Sequence, residues 1–322
     1  MDSVPKAELH VHLEGTAPPE LVRHIAARNG LPLPDRLLGV DGRFRYTDFL
    51  DFLRTYDLAA SVIRTREDYR DITYDYLCTC ARGGAIYVEL TASPDHARLV
   101  GLGDEDHLEG IARGIDDARH DTGIEGRILI SAVRNFGVEQ ALRVARYSAG
   151  RPHPYVVGFS MAGDEAGFPA GDFAEVFAIA AGAGLGCTIH AGEWAGAESV
   201  SAALELPVSR IAHGVRSIED PALVAELAAR GIVLECCPTS NVVLGLYRSY
   251  EDHPLPQLRD AGVRVTLGSD DPPYFGATIA GEYAVCAARM GFTDADLREI
   301  TRTAIDAAFC DEELQMALRS RL

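Results

Sequence analysis

Two histidines one residue apart, His10 and His12 in AELHVHLEG, are the residues whose type and spacing best suit a metal ion. On a strand, residues i and i+2 point to the same face, so His-Val-His aims two imidazoles at one point. Taken alone, the pair is equally compatible with one buried histidine beside an incidental one. Its weight comes from company further along: HAGE at 190–193, AHGV at 212–215 and SDDPP at 269–273. Together these supply His10, His12, His190, His213 and Asp270. Three neutral imidazoles plus a carboxylate suit zinc or another divalent first-row ion, with one position left for water.

Residues so far apart in sequence meet only if the fold gathers them. Short β-branched and aliphatic runs predict strands at 7–13, 85–91, 126–133, 155–161, 185–190, 209–213, 232–237 and 263–268. Helical periodicity fills the gaps, at 173–183, at 217–231 with Ser217 and Asp220 as a capping pair, and at 293–310 with Thr293 and Asp296 as a capping box. Eight strands alternating with helices predict a closed parallel (β/α)8 TIM barrel. An open doubly wound sheet would want a glycine-rich phosphate loop after its first strand, and neither GxGxxG nor a Walker A pattern occurs. The five metal-type residues fall at C-terminal strand ends, which in a parallel barrel face one mouth.

The stretch from about 17 to 84 is too long for an ordinary connection. It carries helical patterns at 18–29, 47–62 and 67–82, and as an insertion after the first strand it belongs over that mouth as a lid. Phe49, Phe52, Leu53 and Tyr56 share one helical face, a stripe that reads first as packing core. With no repeat or linker, one domain over 1–322 is expected.

The 322 residues carry a formal charge of −18, which argues against nucleic-acid or anionic-membrane partners because both need a basic footprint. Seven cysteines without zinc-finger or redox spacing read as reduced, mostly buried thiols. Neither a signal-peptide pattern nor an eighteen-residue apolar run occurs, so the expectation is a cytoplasmic globular protein. His24, His96, His107, His120, His153 and His253 lack strand-end placement and are expected to be solvated.

The ordered set HVHLEG, MAGDE, HAGE, AHGV, CPTSN and GSDDPP resembles the adenosine deaminase family of the amidohydrolase superfamily, over essentially the whole chain. The resemblance implies one zinc ion per chain held by His10, His12, His190 and Asp270. It implies Glu193 as the acid/base group, His213 as a catalytic histidine, and Asp271 as a second catalytic and substrate-binding aspartate. Zinc lowers the pKa of bound water from about 15.7 towards about 7, for attack at C6 of a 6-aminopurine. Attack breaks ring aromaticity, so N1 must gain a proton, which Glu193 would give. His213 would orient the water, and Asp271 would share a hydrogen bond at purine N7. Read singly, Glu193 is also compatible with a surface carboxylate, and Asp271 before Pro272 with a turn residue.

Substrate identity turns on two further positions. The family binds purine N3 through a backbone N–H at the position of Gly163, and the AGDE sequence there leans towards a nucleoside. Many adenosine deaminases carry His-Leu-Asp-Gly, whose aspartate meets the ribose 5′-hydroxyl. Here Glu14 stands in its place, one methylene longer, beside His12. The expected reaction is zinc-dependent deamination of adenosine and 2′-deoxyadenosine to inosine and ammonia. The alternative is the same chemistry on adenine or a 5′-modified adenosine such as methylthioadenosine or aminodeoxyfutalosine. Two-metal amidohydrolases bridged by a lysine carboxylate are disfavoured, since no lysine lies near these strand ends. A cytidine-deaminase site is excluded by the missing PCxxC. A binding protein that had lost catalysis would have lost Glu193, His213 or a ligand first.

Overall fold

The structure, a computed structural model, describes residues 4–322. Eight parallel strands follow one another in sequence order: β1 Lys6–Glu8, β2 Ala85–Ala92, β3 Glu125–Val133, β4 Val156–Ala162, β5 Gly186–Ala191, β6 Arg210–His213, β7 Val233–Cys236 and β8 Arg264–Leu267. Their cores are continuous apolar runs such as Ile-Tyr-Val in β2 and Ile-Leu-Ile in β3, because a parallel sheet covered by helices is buried on both faces. The result is the expected (β/α)8 barrel, nearly closed. The seam between the first and last strands lacks a ladder and is held by His12 N–H to the Asp270 carbonyl (3.0 Å) and Asp270 N–H to the His10 carbonyl (3.2 Å).

The first strand is shorter than its sequence pattern. The ladder stops at Glu8, and His10 and His12 lie on an extended continuation that bridges β2 at Thr91 and the segment after β8 at Asp270. The same-face argument survives this: the two imidazole centroids are 5.4 Å apart.

Three helices fill the insertion between β1 and β2: α1 Pro19–Arg28, α2 Phe49–Ala60 and α3 Arg66–Arg82. Proline opens α1, Asp48 caps α2, and a Thr65/Asp68 capping box starts α3. Buried Asp68 also ties α3 to α1, accepting from Asn29 Nδ2 (2.8 Å) and Arg28 Nε (3.1 Å). Elsewhere the Thr293/Asp296 capping box forms as expected. The Ser217/Asp220 pair does not: Ser217 sits in a 3-10 turn, and Asp220 alone caps the helix Pro221–Arg230 by accepting from Ala222 N–H (2.9 Å).

Inside the barrel, below the strand ends that carry histidines, Arg210 bridges Glu89 (2.6 Å) and Glu235 (2.6 Å). All seven cysteines are free and buried. Among the described residues, no helix is long and apolar enough to cross a membrane.

Candidate active site

The side chains of His10, His12, His190 and Asp270 converge at the C-terminal mouth. His12 Nε2 lies 3.2 Å from His190 Nε2 and 3.4 Å from Asp270 Oδ1, and His10 Nε2 lies 3.5 Å from the same oxygen. Ligands ~2.1 Å from a tetrahedral ion sit about 3.4 Å apart, so the spacing suits one ion. His10 Nε2 is buried without a hydrogen-bond partner, as a lone pair waiting for a cation would be. Outer contacts fix the rings: His10 Nδ1 donates to the Glu235 carbonyl (3.2 Å) and His190 Nδ1 to that of Met161 (3.0 Å), which leaves both Nε2 atoms bare. Arg134, fully buried, holds the end of β5 by donating to the His190 carbonyl (2.8 Å).

Charge is arranged for the same purpose. Burial drives His190 well below the ordinary histidine range, and the neighbouring His10 pushes further the same way. Asp270 goes well below the carboxylate range: burial pushes it up, but contacts with His10 and His12 outweigh that. Ser240 Oγ donates to Asp270 Oδ2 (2.7 Å), so Oδ1 remains for the cluster. Imidazole nitrogens gathered around an ionised carboxylate form a site for one dication.

His213 closes the cluster from β6. It pairs across the ladder with Ala191, and its Nε2 is 3.6 Å from Glu193 Oε2 and 3.9 Å from Asp270 Oδ2. Its ligand atom lies with those of His10, His190 and Asp270 within a 4.8 Å span. His213 and Asp270 both adopt left-handed backbone, with φ of 60° and 63°. Such strain in non-glycine residues costs about 1–3 kcal/mol and clusters at functional sites. Asp271 follows directly, and one ligand atom each of His12, Asp270 and Asp271 falls within a 4.8 Å span. Asp271 Oδ1 is buried and unpartnered, and a Cβ on Gly15 would come within 1.8 Å of it. Only glycine fits at position 15 of HLEG.

Glu193 is buried rather than a surface carboxylate, and its loop is anchored by Glu165. Glu165 Oε1 accepts from the backbone N–H groups of Glu193 (2.8 Å) and Ala195 (2.6 Å), and Oε2 accepts from Ser199 Oγ (2.9 Å). Burial, then the charges of Asp270 and Glu165, push the Glu193 carboxyl well above its ordinary range. Gly163 lines the same cavity with φ of 105°, where a Cβ would lie 2.2 Å from Asn135 Oδ1.

The cavity runs from the cluster outward between Glu14, Ser93 and His96 on one side and α2 on the other. The Phe49, Phe52, Leu53 and Tyr56 stripe lines this cavity, so α2 roofs the mouth instead of merely packing. Trp194 stands behind the roof, stacked on Phe49 at 4.5 Å. Glu14 is buried and accepts from Ser93 N–H (3.0 Å), with the Tyr56 hydroxyl at 3.4 Å and the Tyr69 hydroxyl at 3.5 Å. Burial pushes Glu14 up, but His107 and the charge of His96 outweigh it and hold the carboxyl below its ordinary range.

Residues 5–322 match a family model described as adenosine deaminase. The chain belongs to the adenosine deaminase family. Similar curated relatives are an adenine deaminase of Chelativorans sp. (strain BNC1), 51% identical over 98% of this chain and 97% of that one, and an adenine deaminase of Agrobacterium fabrum, 48% identical over 98% and 97%. Among solved structures, an adenine deaminase from Arthrobacter aurescens superposes with a TM-score of 0.93 at 31% identity, over 99% of this chain and 98% of that one. An amidohydrolase from Burkholderia ambifaria with bound Zn gives 0.90 at 27% identity, over 99% and 89%. The protein is thus a metal-dependent hydrolase that deaminates an adenine-type purine.

Within this deaminase, the sequence-based expectation of solvated histidines needs correction. His24 and His120 are exposed and His153 is half-buried, but His96, His107 and His253 are buried. His96 meets Asp57 of α2 (3.0 Å), His107 approaches Glu14 (3.8 Å), and His253 reaches Asn241 (3.1 Å). Strand-end placement was the wrong filter for residues that support a site from behind. Glu165, Ser240 and Asn241 also went unassigned, although MAGDE and CPTSN both contain them.

Proposed function

We propose that the protein hydrolyses adenine to hypoxanthine and ammonia. This corrects the sequence-based expectation of adenosine, for which AGDE carried too much weight. The observation that supports adenine is Glu14: a buried carboxylate on the cavity wall, held in its ionised form, with Ser93 N–H already bound to Oε1. Adenine offers an N9–H donor to such an acceptor, and adenosine has a glycosidic carbon there instead. Oε2 meets the Tyr56 hydroxyl at a long 3.4 Å and keeps acceptor capacity, so the site favours the ring that can donate. The relatives named adenine deaminase at 51% and 48% identity support the same choice.

In this reading His10, His12, His190 and Asp270 hold one zinc ion, which when bound supplies an activated water near neutral pH. The Gly163 backbone N–H meets N3, and Asp271 shares a hydrogen bond at N7. Glu193 keeps a proton on its carboxyl for N1 and later helps ammonia leave. His213 donates from Nε2 towards the oxygen that adds at C6. Helix α2 covers the ring and excludes competing water.

Ammonia release from zinc-loaded protein, compared at low concentration across adenine, adenosine, 2′-deoxyadenosine and 5′-methylthioadenosine, tests the proposal through relative kcat/KM. A site built around a ring N–H should prefer adenine by at least ~10²-fold, since hydrogen-bonding sites reject analogues lacking the donor by up to ~10⁵. Adenosine or deoxyadenosine matching adenine would overturn the assignment and leave the zinc chemistry standing.

A further inference from the structure

Four histidines crowd the mouth, yet one must donate a proton while its neighbours offer lone pairs. Chemically identical rings differ only through what their outer nitrogens meet. His10 Nδ1 and His190 Nδ1 each meet a backbone carbonyl, at 3.2 and 3.0 Å, so their protons sit on Nδ1. His213 Nδ1 instead faces Asn241 Nδ2 at 3.2 Å.

The polarity of that contact can be traced to a group whose role is beyond doubt. Leu255 N–H, a backbone amide that can only donate, meets His253 Nδ1 at 3.2 Å. His253 Nδ1 is therefore the acceptor, and its proton lies on Nε2. That Nε2–H is 3.1 Å from Asn241, so the amide must turn its oxygen to His253. Its NH2 group then points at His213 and donates to Nδ1, and the His213 proton is left on Nε2. This is the nitrogen that faces Glu193 and Asp270. His253 and Asn241 are both fully buried, so water cannot substitute for any member of the chain. Burial holds His253 near a pKa of about 3, which keeps it neutral and its polarity constant across physiological pH.

We propose that His253, through the orientation it imposes on Asn241, is a positioning residue that fixes the proton of His213 on Nε2 and so keeps His213 a donor rather than a fourth imidazole ligand. The proposal rests on the reading that His213 donates at the reacting centre. Without His253, the Asn241 amide is free to flip. Its oxygen would then draw the His213 proton to Nδ1 and leave a bare Nε2 facing the metal site.

Two substitutions separate this role from packing. His253→Gln and His253→Leu both lose the contact with Leu255 N–H, but only glutamine keeps an N–H near the position of Nε2. His253→Leu should lower kcat roughly 10–100-fold, less than the ~10²–10⁴-fold of losing an acid–base group outright because part of His213 keeps the right tautomer, with KM and zinc content little changed. His253→Gln should stay within about threefold of wild type. Nitrogen NMR of zinc-loaded protein carrying 15N-labelled histidine reads the tautomers directly. Wild type should show His213 and His253 protonated on Nε2, with His10 and His190 protonated on Nδ1, and His253→Leu should show a Nδ1-protonated fraction at His213. A wild-type His213 protonated on Nδ1, or leucine and glutamine variants with the same kcat, would overturn the proposal. The wild-type spectrum decides even if the leucine variant does not fold. Failure of wild type on every 6-aminopurine would instead sink the deamination reading and leave the tautomer result intact.

Discussion

At the scale of single residues, function here depends on small differences between like groups. Asp270 and Asp271 are neighbours in sequence and their carboxylates lie together, yet Asp270 is engaged by Ser240, His10 and His12, whereas Asp271 Oδ1 is buried without a partner. Glu193 and Glu165 divide labour in a similar way. Glu165 spends both its oxygens on the loop, and the Glu193 carboxylate faces His213 at 3.6 Å. Glu193→Gln keeps the shape, the backbone N–H to Glu165 and the neighbouring metal ligands, but has no carboxyl proton to transfer. Its zinc content should equal that of wild type while kcat falls about 10²–10⁴-fold. Metal analysis beside steady-state kinetics checks both halves. Loss of zinc would make Glu193 part of the ligand set, and near-wild-type turnover would remove it from proton transfer.

At the scale of elements, the roof over the site is one helix, and a titratable contact fastens it. Asp57 of α2 meets His96 at 3.0 Å, and His96 belongs to the short helix α4, Pro94–Leu99, that follows β2. Burial lowers the His96 pKa, but the hydrogen bond it donates to Asp57 and the charge of Glu14 outweigh it, so the net shift is upward. A histidine raised in the closed form stabilises closure fully below its free value near 6.5 and loses that contribution as pH climbs through the raised value. KM for the purine should therefore rise as pH climbs above about 6.5. Asp57→Asn should raise KM at pH 6 and flatten its pH profile. Asp57 is largely exposed, so the change should stay within about fivefold, in keeping with the roughly 0–1 kcal/mol of an exposed ion pair. A wild-type KM independent of pH would remove the latch. The elements were legible in sequence, since β-branched and aliphatic runs located all eight strands and period-3.6 patterns the three inserted helices. The part played by the stripe on α2 was not, because Phe49 and Phe52 at helical spacing look the same whether they pack on a core or roof a cavity. Metal-type side chains were legible for a related reason: their spacing follows the strand pleat. Buried supports such as His253 and Glu165 follow loop geometry, which leaves no periodic trace.

At the scale of the whole molecule, the metal site coincides with the weakest join in the barrel. Neighbouring strands from β1 to β8 share ladders, but the first and last are joined by the bridge of Val11 with Asp270, made by His12 N–H and Asp270 N–H, and by the Glu8 carboxylate, which accepts from Ser269 N–H (2.7 Å) and Ser269 Oγ (2.6 Å). The backbone bonds that close the barrel thus belong to residues that, in the proposed function, would hold the ion. One cation held by His10, His12, His190 and Asp270 would pin the start of the chain to its last strand and to β5 across the barrel. Without it, a buried carboxylate and several bare imidazole nitrogens confront one another, and His10 Nε2 has no partner. Chelation should therefore lower the thermal midpoint. An ion at 100–1,000 times its Kd adds about 2.7–4.1 kcal/mol, or of order 5–10 °C for a domain of a few hundred residues. The loss should be local before it is global. In hydrogen exchange after chelation, the amides of His12, Asp270 and Thr91 should lose protection first, while the β3–β4 ladder keeps its own. Equal loss around the whole barrel, or none, would mean that the seam is closed by packing alone and that the ion serves chemistry without serving the fold.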